Sequence, residues 1–239
     1  MGLKKYIITG NIIEVYDYKY YNHGSGGYRD HSNTDEEIKQ KHYANTNQKR
    51  RDTIRRLACC NFDNKYDKFL TLTFAENMTD VKLCNVLFKA FIRRLRNSYK
   101  PDLKYLAVIE FQKRGAVHYH VLLNIPYIPQ NELQNLWGNG FVYINAIEHV
   151  DNIGAYIVKY MTKDNKDTRL RGLKAYQFSR NLTKPEIIVN HNLSDFDIME
   201  KKIYDRYDLN QIKPIYSSNY DTEVLGHCQY KQYNLKREL

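Results

Sequence analysis

At 239 residues the chain is long enough to bury one main core with appended segments and too short for two large domains. Lys and Arg number 37 against 27 Asp and Glu, a formal net charge of +10, and 22 Tyr and 9 Phe accompany that surplus. The mixture suits a polyanion whose bases stack on rings, as well as a plainly solvated basic surface. No apolar run approaches membrane-spanning length and no long apolar segment opens the chain, which argues against a membrane or secreted protein and predicts a cytoplasmic one.

Residues 6 to 21 alternate loosely, with Tyr16, Tyr18 and Tyr20 on one face of a would-be strand, until Gly24-Ser25-Gly26-Gly27 breaks the pattern. A peripheral hairpin or arm is expected there. From Thr34 to Ala58 a helix is predicted whose cationic face carries Lys49, Arg50, Arg51, Arg55 and Arg56 around Ile54 and Leu57, either as solvated surface or as a phosphate contact. Cys59, Cys60, Cys84 and Cys228 show neither Cys-x-x-Cys spacing nor a neighbouring His that would complete a zinc site, so reduced thiols are expected.

Phe69-Leu70-Thr71-Leu72-Thr73-Phe74 alternates β-branched and aromatic residues and reads as a strand. Thr79 or Asp80 can cap the helix that follows, where Cys84, Leu87, Phe88, Phe91 and Leu95 make an apolar stripe of helical period. Tyr105 to Gln112 and Ala116 to Asn124 read as two strands joined by Lys113-Arg114-Gly115, with Gly where a positive φ is needed. Asn131 to Trp137 suggests a short helix, Gly140 to Ile147 a strand, and Asp151 to about Lys163 a helix bearing two tyrosines. This order predicts an α+β fold, a central antiparallel sheet with helices on one face of ferredoxin or RNA-recognition type.

Beyond Asp164, Arg169, Arg171, Lys174, Arg180 and Lys184 interleave with Tyr176 and Phe178. Ile187 to Val189 and Glu223 to Tyr233 are candidate strands. The sequence contains no Gly-x-x-x-x-Gly-Lys-[Ser/Thr] phosphate loop, so an ATPase or helicase is not encoded here.

Two constellations carry chemistry. Residues i and i+2 of a strand share a face, so His118 and His120 project together, and the three-residue turn sets Glu110 beside His118. A carboxylate with two imidazoles makes a mixed N/O site suited to Mg²⁺ or Mn²⁺, with Gln112 as a possible outer participant. A His-x-His pair can equally be plain strand packing, and a cupin-like or zinc-hydrolase site would require a further ligand. On the later helix, Gly154, Ile157, Val158 and Met161 form the expected buried stripe, with Tyr156 and Tyr160 on its flank and Lys159 and Lys163 just beyond. Tyr-x-x-x-Tyr is either a packing ladder or a pair of nucleophiles whose phenolates the lysines support.

At these residues the chain resembles the rolling-circle replication initiators of the HUH endonuclease superfamily. Phe69-Leu-Thr-Leu-Thr73 is similar to motif 1, Gly115-Ala-Val-His118-Tyr-His120-Val-Leu122 to motif 2, and Tyr156-Ile-Val-Lys159-Tyr160-Met-Thr-Lys163 to motif 3 in its two-tyrosine form. The resemblance implies metal ligands at Glu110, His118 and His120 and a nucleophile at Tyr156 or Tyr160, with Lys159 and Lys163 beside them. It further implies nicking of single-stranded or hairpin origin DNA of a plasmid or phage through a 5′-phosphotyrosine link, with a free 3′-hydroxyl for a host DNA polymerase and with a host helicase, in a prokaryotic cell. Lys49, Arg50, Arg51, Arg55, Lys113, Arg114, Arg169, Arg171, Lys174 and Arg180 are the candidate DNA contacts. The expected organisation is an N-terminal arm and basic helix over 1–60, an endonuclease core over 61–180 and a C-terminal extension over 181–239. Two alternatives remain on this reading, a relaxase or transposase of similar chemistry and a non-catalytic single-strand-binding module of RNA-recognition type.

Overall fold

A computed structural model describes residues 3–19, 36–62, 66–161, 169–170, 172–190, 196–222 and 226–237. The chain opens with an antiparallel hairpin, β1 (Leu3–Thr9) and β2 (Ile12–Tyr18), joined by Gly10-Asn11 with Gly10 at φ 58°, a conformation glycine adopts without penalty. The hairpin turns well before Gly24-Ser25-Gly26-Gly27, which lies with Tyr20 outside the described residues. Tyr16 and Tyr18 do share a face, their rings stacked 6.2 Å apart.

The chain divides into two compact units, residues 35–183 and residues 1–34 together with 184–239. This differs from a division at 60 and 180, because α1 (Glu36–Asn61) packs against a later helix of the first unit and the chain's two ends share a sheet.

In residues 35–183, β3 (Lys68–Thr73), α2 (Val81–Ser98), β4 (Tyr105–Phe111), β5 (Val117–Leu123), α3 (Gln130–Trp137), β6 (Val142–Ala146), α4 (Ile153–Val158) and β7 (Tyr176–Phe178) follow in order. The sheet runs β6-β3-β5-β4-β7, antiparallel throughout, so β3 and β4 run parallel on either side of β5. Its first four strands with α2 and α3 form the β-α-β-β-α-β ferredoxin-like arrangement, and the fold is α+β as the alternation of elements implies.

One face of this sheet presents Leu70, Leu72, Ile109, Tyr119 and Val121 to Phe88, Phe91 and Leu95 of α2 and to Leu133 and Trp137 of α3. The Asp80 carboxylate caps α2 by accepting from the backbone N–H groups of Lys82 (2.8 Å) and Leu83 (3.2 Å). The sheet is covered on its other face as well, which corrects the one-sided sandwich: α1 packs on α4, and Tyr156 of α4 and Tyr160 just beyond it lie against Phe69 and His120. The period of α1 is blurred by its many charges, so its buried residues Ile54, Leu57, Ala58 and Cys59 do not mark it in the sequence as a covering helix. The strand β7 is not marked in the sequence for a similar reason, since three residues show no period.

In the other unit, β8 (Glu186–Asn190), β9 (Tyr216–Thr222) and β10 (Gly226–Asn234) complete an antiparallel sheet of order β8-β1-β2-β10-β9. The helix α5 (Phe196–Tyr207) sets Ile203 against Tyr6, Ile8, Ile13, Val15 and Tyr233 of that sheet. No disulfide joins the four cysteines, and no described helix is long and apolar enough to cross a membrane.

Candidate active site and metal centre

The β4–β5 hairpin builds the site's floor. Gly115 takes φ 89° and donates its N–H to Gln112 O at 2.8 Å, Gln112 N–H donates to Ala116 O at 2.9 Å, and the resulting register sets Glu110 opposite His118. Glu110, His118 and His120 thereby offer three ligand atoms that all lie within 4.8 Å of one another. Glu110 Oε2 is 2.6 Å from His120 Nε2, while His118 Nε2 is buried with no hydrogen-bond partner among the described residues. A buried polar atom with no partner is costly unless something else satisfies it, and two imidazoles with a carboxylate this close together suit a cation.

The electrostatics agree with that chemistry. Burial lowers the pKa of His118, helped by His120 and Arg114 and opposed by Glu110. Burial also lowers that of His120 against the opposing hydrogen bond and charge of Glu110. Both rings are thus neutral near pH 7, the form that ligates metals. The Thr71 hydroxyl oxygen sits 3.2 Å from His120 Nδ1, held there because β3 pairs Thr71 with His120. Sequence reasoning assigned Thr71 no part in the site, and only the strand register points to it.

Both tyrosines close over this floor. Tyr160 stacks on His120 with ring centroids 3.8 Å apart and planes 25° from parallel, and its hydroxyl donates to that of Tyr156 at 3.3 Å. Phe69 lies beneath them, edge-on to Tyr156 at 5.0 Å and tilted to Tyr160 at 5.3 Å. Burial, then the hydrogen bond to Tyr156 and the charge of Glu110, push the Tyr160 phenol above its ordinary range. Lys159 is exposed, its Nζ 5.4 Å from the centre of the Tyr156 ring.

The helix is shorter than the expected Asp151 to Lys163. Asn152 caps it by accepting from Ala155 N–H at 2.9 Å, and after Val158 the backbone tightens, with Tyr160 N–H bonded to Ile157 O and Met161 N–H to Val158 O. The Met161 carbonyl accepts from Arg51 of α1 at 3.4 Å. Of the expected buried stripe, Gly154, Ile157 and Met161 are buried and Val158 only partly so. Gly154 is the contact point with α1, where an added Cβ would fall 2.7 Å from Cys59 Sγ and closer still to the Arg55 carbonyl.

The candidate DNA contacts divide by location. Arg51 and Arg55 work within the fold, Arg51 on Met161 O and Arg55 in an ion pair with Asp52 at 3.4 Å. Arg114 bridges from Gln112 Oε1 (2.9 Å) to Phe74 O (3.0 Å), which ties the hairpin tip to the end of β3 and makes Gln112 a support of that tip. Arg169 lies over the Phe111 ring at 4.1 Å. Lys49 and Lys113 are exposed on α1 and the hairpin tip, and Arg50, Lys174 and Arg180 line one groove. Lys163 and Arg171 lie outside the described residues.

Comparison with curated proteins and with solved structures gave no match. Residues 67–165, which hold Glu110, His118, His120 and both tyrosines, match the family model described as Replication-associated protein ORF2/G2P, a rolling-circle replication initiator family.

Proposed function

We propose that the chain is a metal-dependent, single-strand DNA endonuclease and strand transferase that nicks a replication origin and starts, and ends, rolling-circle replication of a plasmid or phage. The observation that carries this reading is the Tyr160 ring stacked on His120, 3.8 Å away, inside the Glu110–His118–His120 cluster. A tyrosine stacked on a candidate metal ligand stands next to the place where an attacking phenol is needed.

The residues fit a divalent cation. Held by Glu110, His118 and His120, Mg²⁺ or Mn²⁺ would polarise the scissile phosphate and offset the charge that develops on it. The chain's own residues do the rest. A phenol oxygen of Tyr156 or Tyr160 attacks phosphorus in line, the P–O bond to the 3′ oxygen breaks, and the phenolic proton ends on the departing 3′-hydroxyl. The product is a 5′-phosphotyrosine link and a free 3′ end for a host polymerase, on a strand that a host helicase opens. Lys159 supports the phenolate of Tyr156, and hydroxyls only 3.3 Å apart allow one tyrosine to hold a 5′ end while the other cuts again.

A labelled hairpin oligonucleotide incubated with the chain and Mn²⁺ tests the reading. A protein–DNA adduct that survives denaturant is expected. Tight binding with no adduct over many origin-like sequences would instead indicate a non-catalytic single-strand-binding module.

A further inference from the structure

The strand β7 borders the site. Its Tyr176 pairs with Val108 of β4, two residues from Glu110, and β7 is the last strand on that side of the sheet. A groove of about 840 Å³ runs along it, lined in part by Arg50 of α1, Lys89 of α2, and Lys174 and Arg180 from either side of β7. Among the described residues that line the groove none is a carboxylate. Tyr176 and Phe178 stand on one side of β7 with rings 6.0 Å apart and 14° from parallel, and Phe178 is 44 % exposed.

Each feature alone is ordinary. Together they place four cations and an open aromatic stack in one channel, and that pairing fits a single nucleic-acid strand, whose phosphates and bared bases alternate along its length. A duplex hides its bases within its own stack, and an acidic peptide would leave the rings without a function.

We propose that the β7 groove holds the single-stranded DNA flanking the scissile phosphate, with Arg50, Lys89, Lys174 and Arg180 on its phosphates and a base stacked on the Tyr176–Phe178 pair. The choice of DNA rests on the endonuclease reading. The groove itself rests on its charge and its rings.

The test is fluorescence anisotropy of a labelled oligothymidylate titrated with the full chain in EDTA, over a series of salt concentrations. Phe178→Ala is expected to weaken binding about 5- to 150-fold, the range for loss of one base stack, with little change in salt dependence. Lys174→Ala combined with Arg180→Ala is expected to flatten the slope of log affinity against log salt by about 1.4, or about 0.7 per phosphate contact on a single strand. Phe178→Trp restores binding if stacking is the role. Wild-type affinity in both the alanine variants overturns the proposal. So does an equal loss for a blunt duplex on Phe178→Ala, because the ring would then be a support of the fold. No strand is cut in EDTA, so the two readings fail separately: an adduct with no groove effect sinks the groove alone, and groove binding with no adduct sinks the endonuclease alone.

Discussion

The Thr71 hydroxyl faces His120 Nδ1 at 3.2 Å, so one residue of β3 governs how an imidazole of β5 presents its other nitrogen to Glu110. A hydroxyl can donate to or accept from Nδ1, which lets Thr71 hold the ring whether Nε2 carries a proton or a metal. Replacing Thr71 with Val is expected to weaken Mn²⁺ binding about 10- to 100-fold, the usual cost of losing such an orienting partner. Thr71→Ser should restore most of it. Titration calorimetry with Mn²⁺ reads this directly, and equal affinity in the Val variant would mean that packing alone holds the ring.

Tyr156→Phe and Tyr160→Phe are each expected to slow adduct formation, and the double substitution to abolish it. An adduct from the double variant would place the nucleophile elsewhere. His120→Ala should lower the nicking rate by about a hundredfold or more while changing oligonucleotide affinity by less than about threefold, because the imidazole would hold the cation that polarises the reacting phosphate rather than grip the bound strand. Gel analysis of the adduct beside an anisotropy titration separates the two effects.

Gly154 sits where α4 touches α1. A methyl group there overpacks the contact, so Gly154→Ala is expected to destabilise the chain by about 1–3 kcal/mol, seen as a lower urea midpoint at constant slope. Adduct formation should fall too, since α4 carries Tyr156 and leads directly into Tyr160. Unchanged stability would show that the two helices separate freely.

Protonation of the histidine pair gives a pH dependence of definite sign. Burial lowers both imidazoles below the ordinary 6.5, so the unfolded chain binds protons at a higher pH than the folded one. The contribution of these groups to stability is therefore full above about pH 6.5 and is lost as the pH falls from there through the folded-state values. Thermal melting in EDTA between about pH 7.5 and about pH 5 should show this decline, and His118→Gln with His120→Gln should flatten it. A decline of the same steepness in the double variant would assign it to other groups.

Much of the site was legible before folding because its decisive relations are local. A strand period of two puts His118 and His120 on one face, and a three-residue turn leaves Glu110 only one register against them. The capping carboxylate of Asp80 and the apolar stripe of α2 follow from equally short-range rules. The tyrosine helix was legible as a helix, but its length was not. Its regular turns stop at Val158, and just beyond, the Met161 carbonyl meets Arg51 from more than a hundred residues earlier in the chain.

The sequence by itself determined the chemistry of the parts: two imidazoles and a carboxylate on one hairpin, two phenols one turn apart, and an excess of positive charge. Only the tertiary structure decided that the parts meet. The pairing of β3 with β5 brings Thr71 to His120 and Phe69 beneath the tyrosines, and the close approach of α1 at Gly154 fixes where α4 lies. Tertiary contacts also separated the cations, drawing Arg51 and Arg55 into the fold and leaving Lys174 and Arg180 open along β7. Periodicity reports which way a side chain points from its own element, whereas the partner it meets is set by packing between elements far apart in the chain.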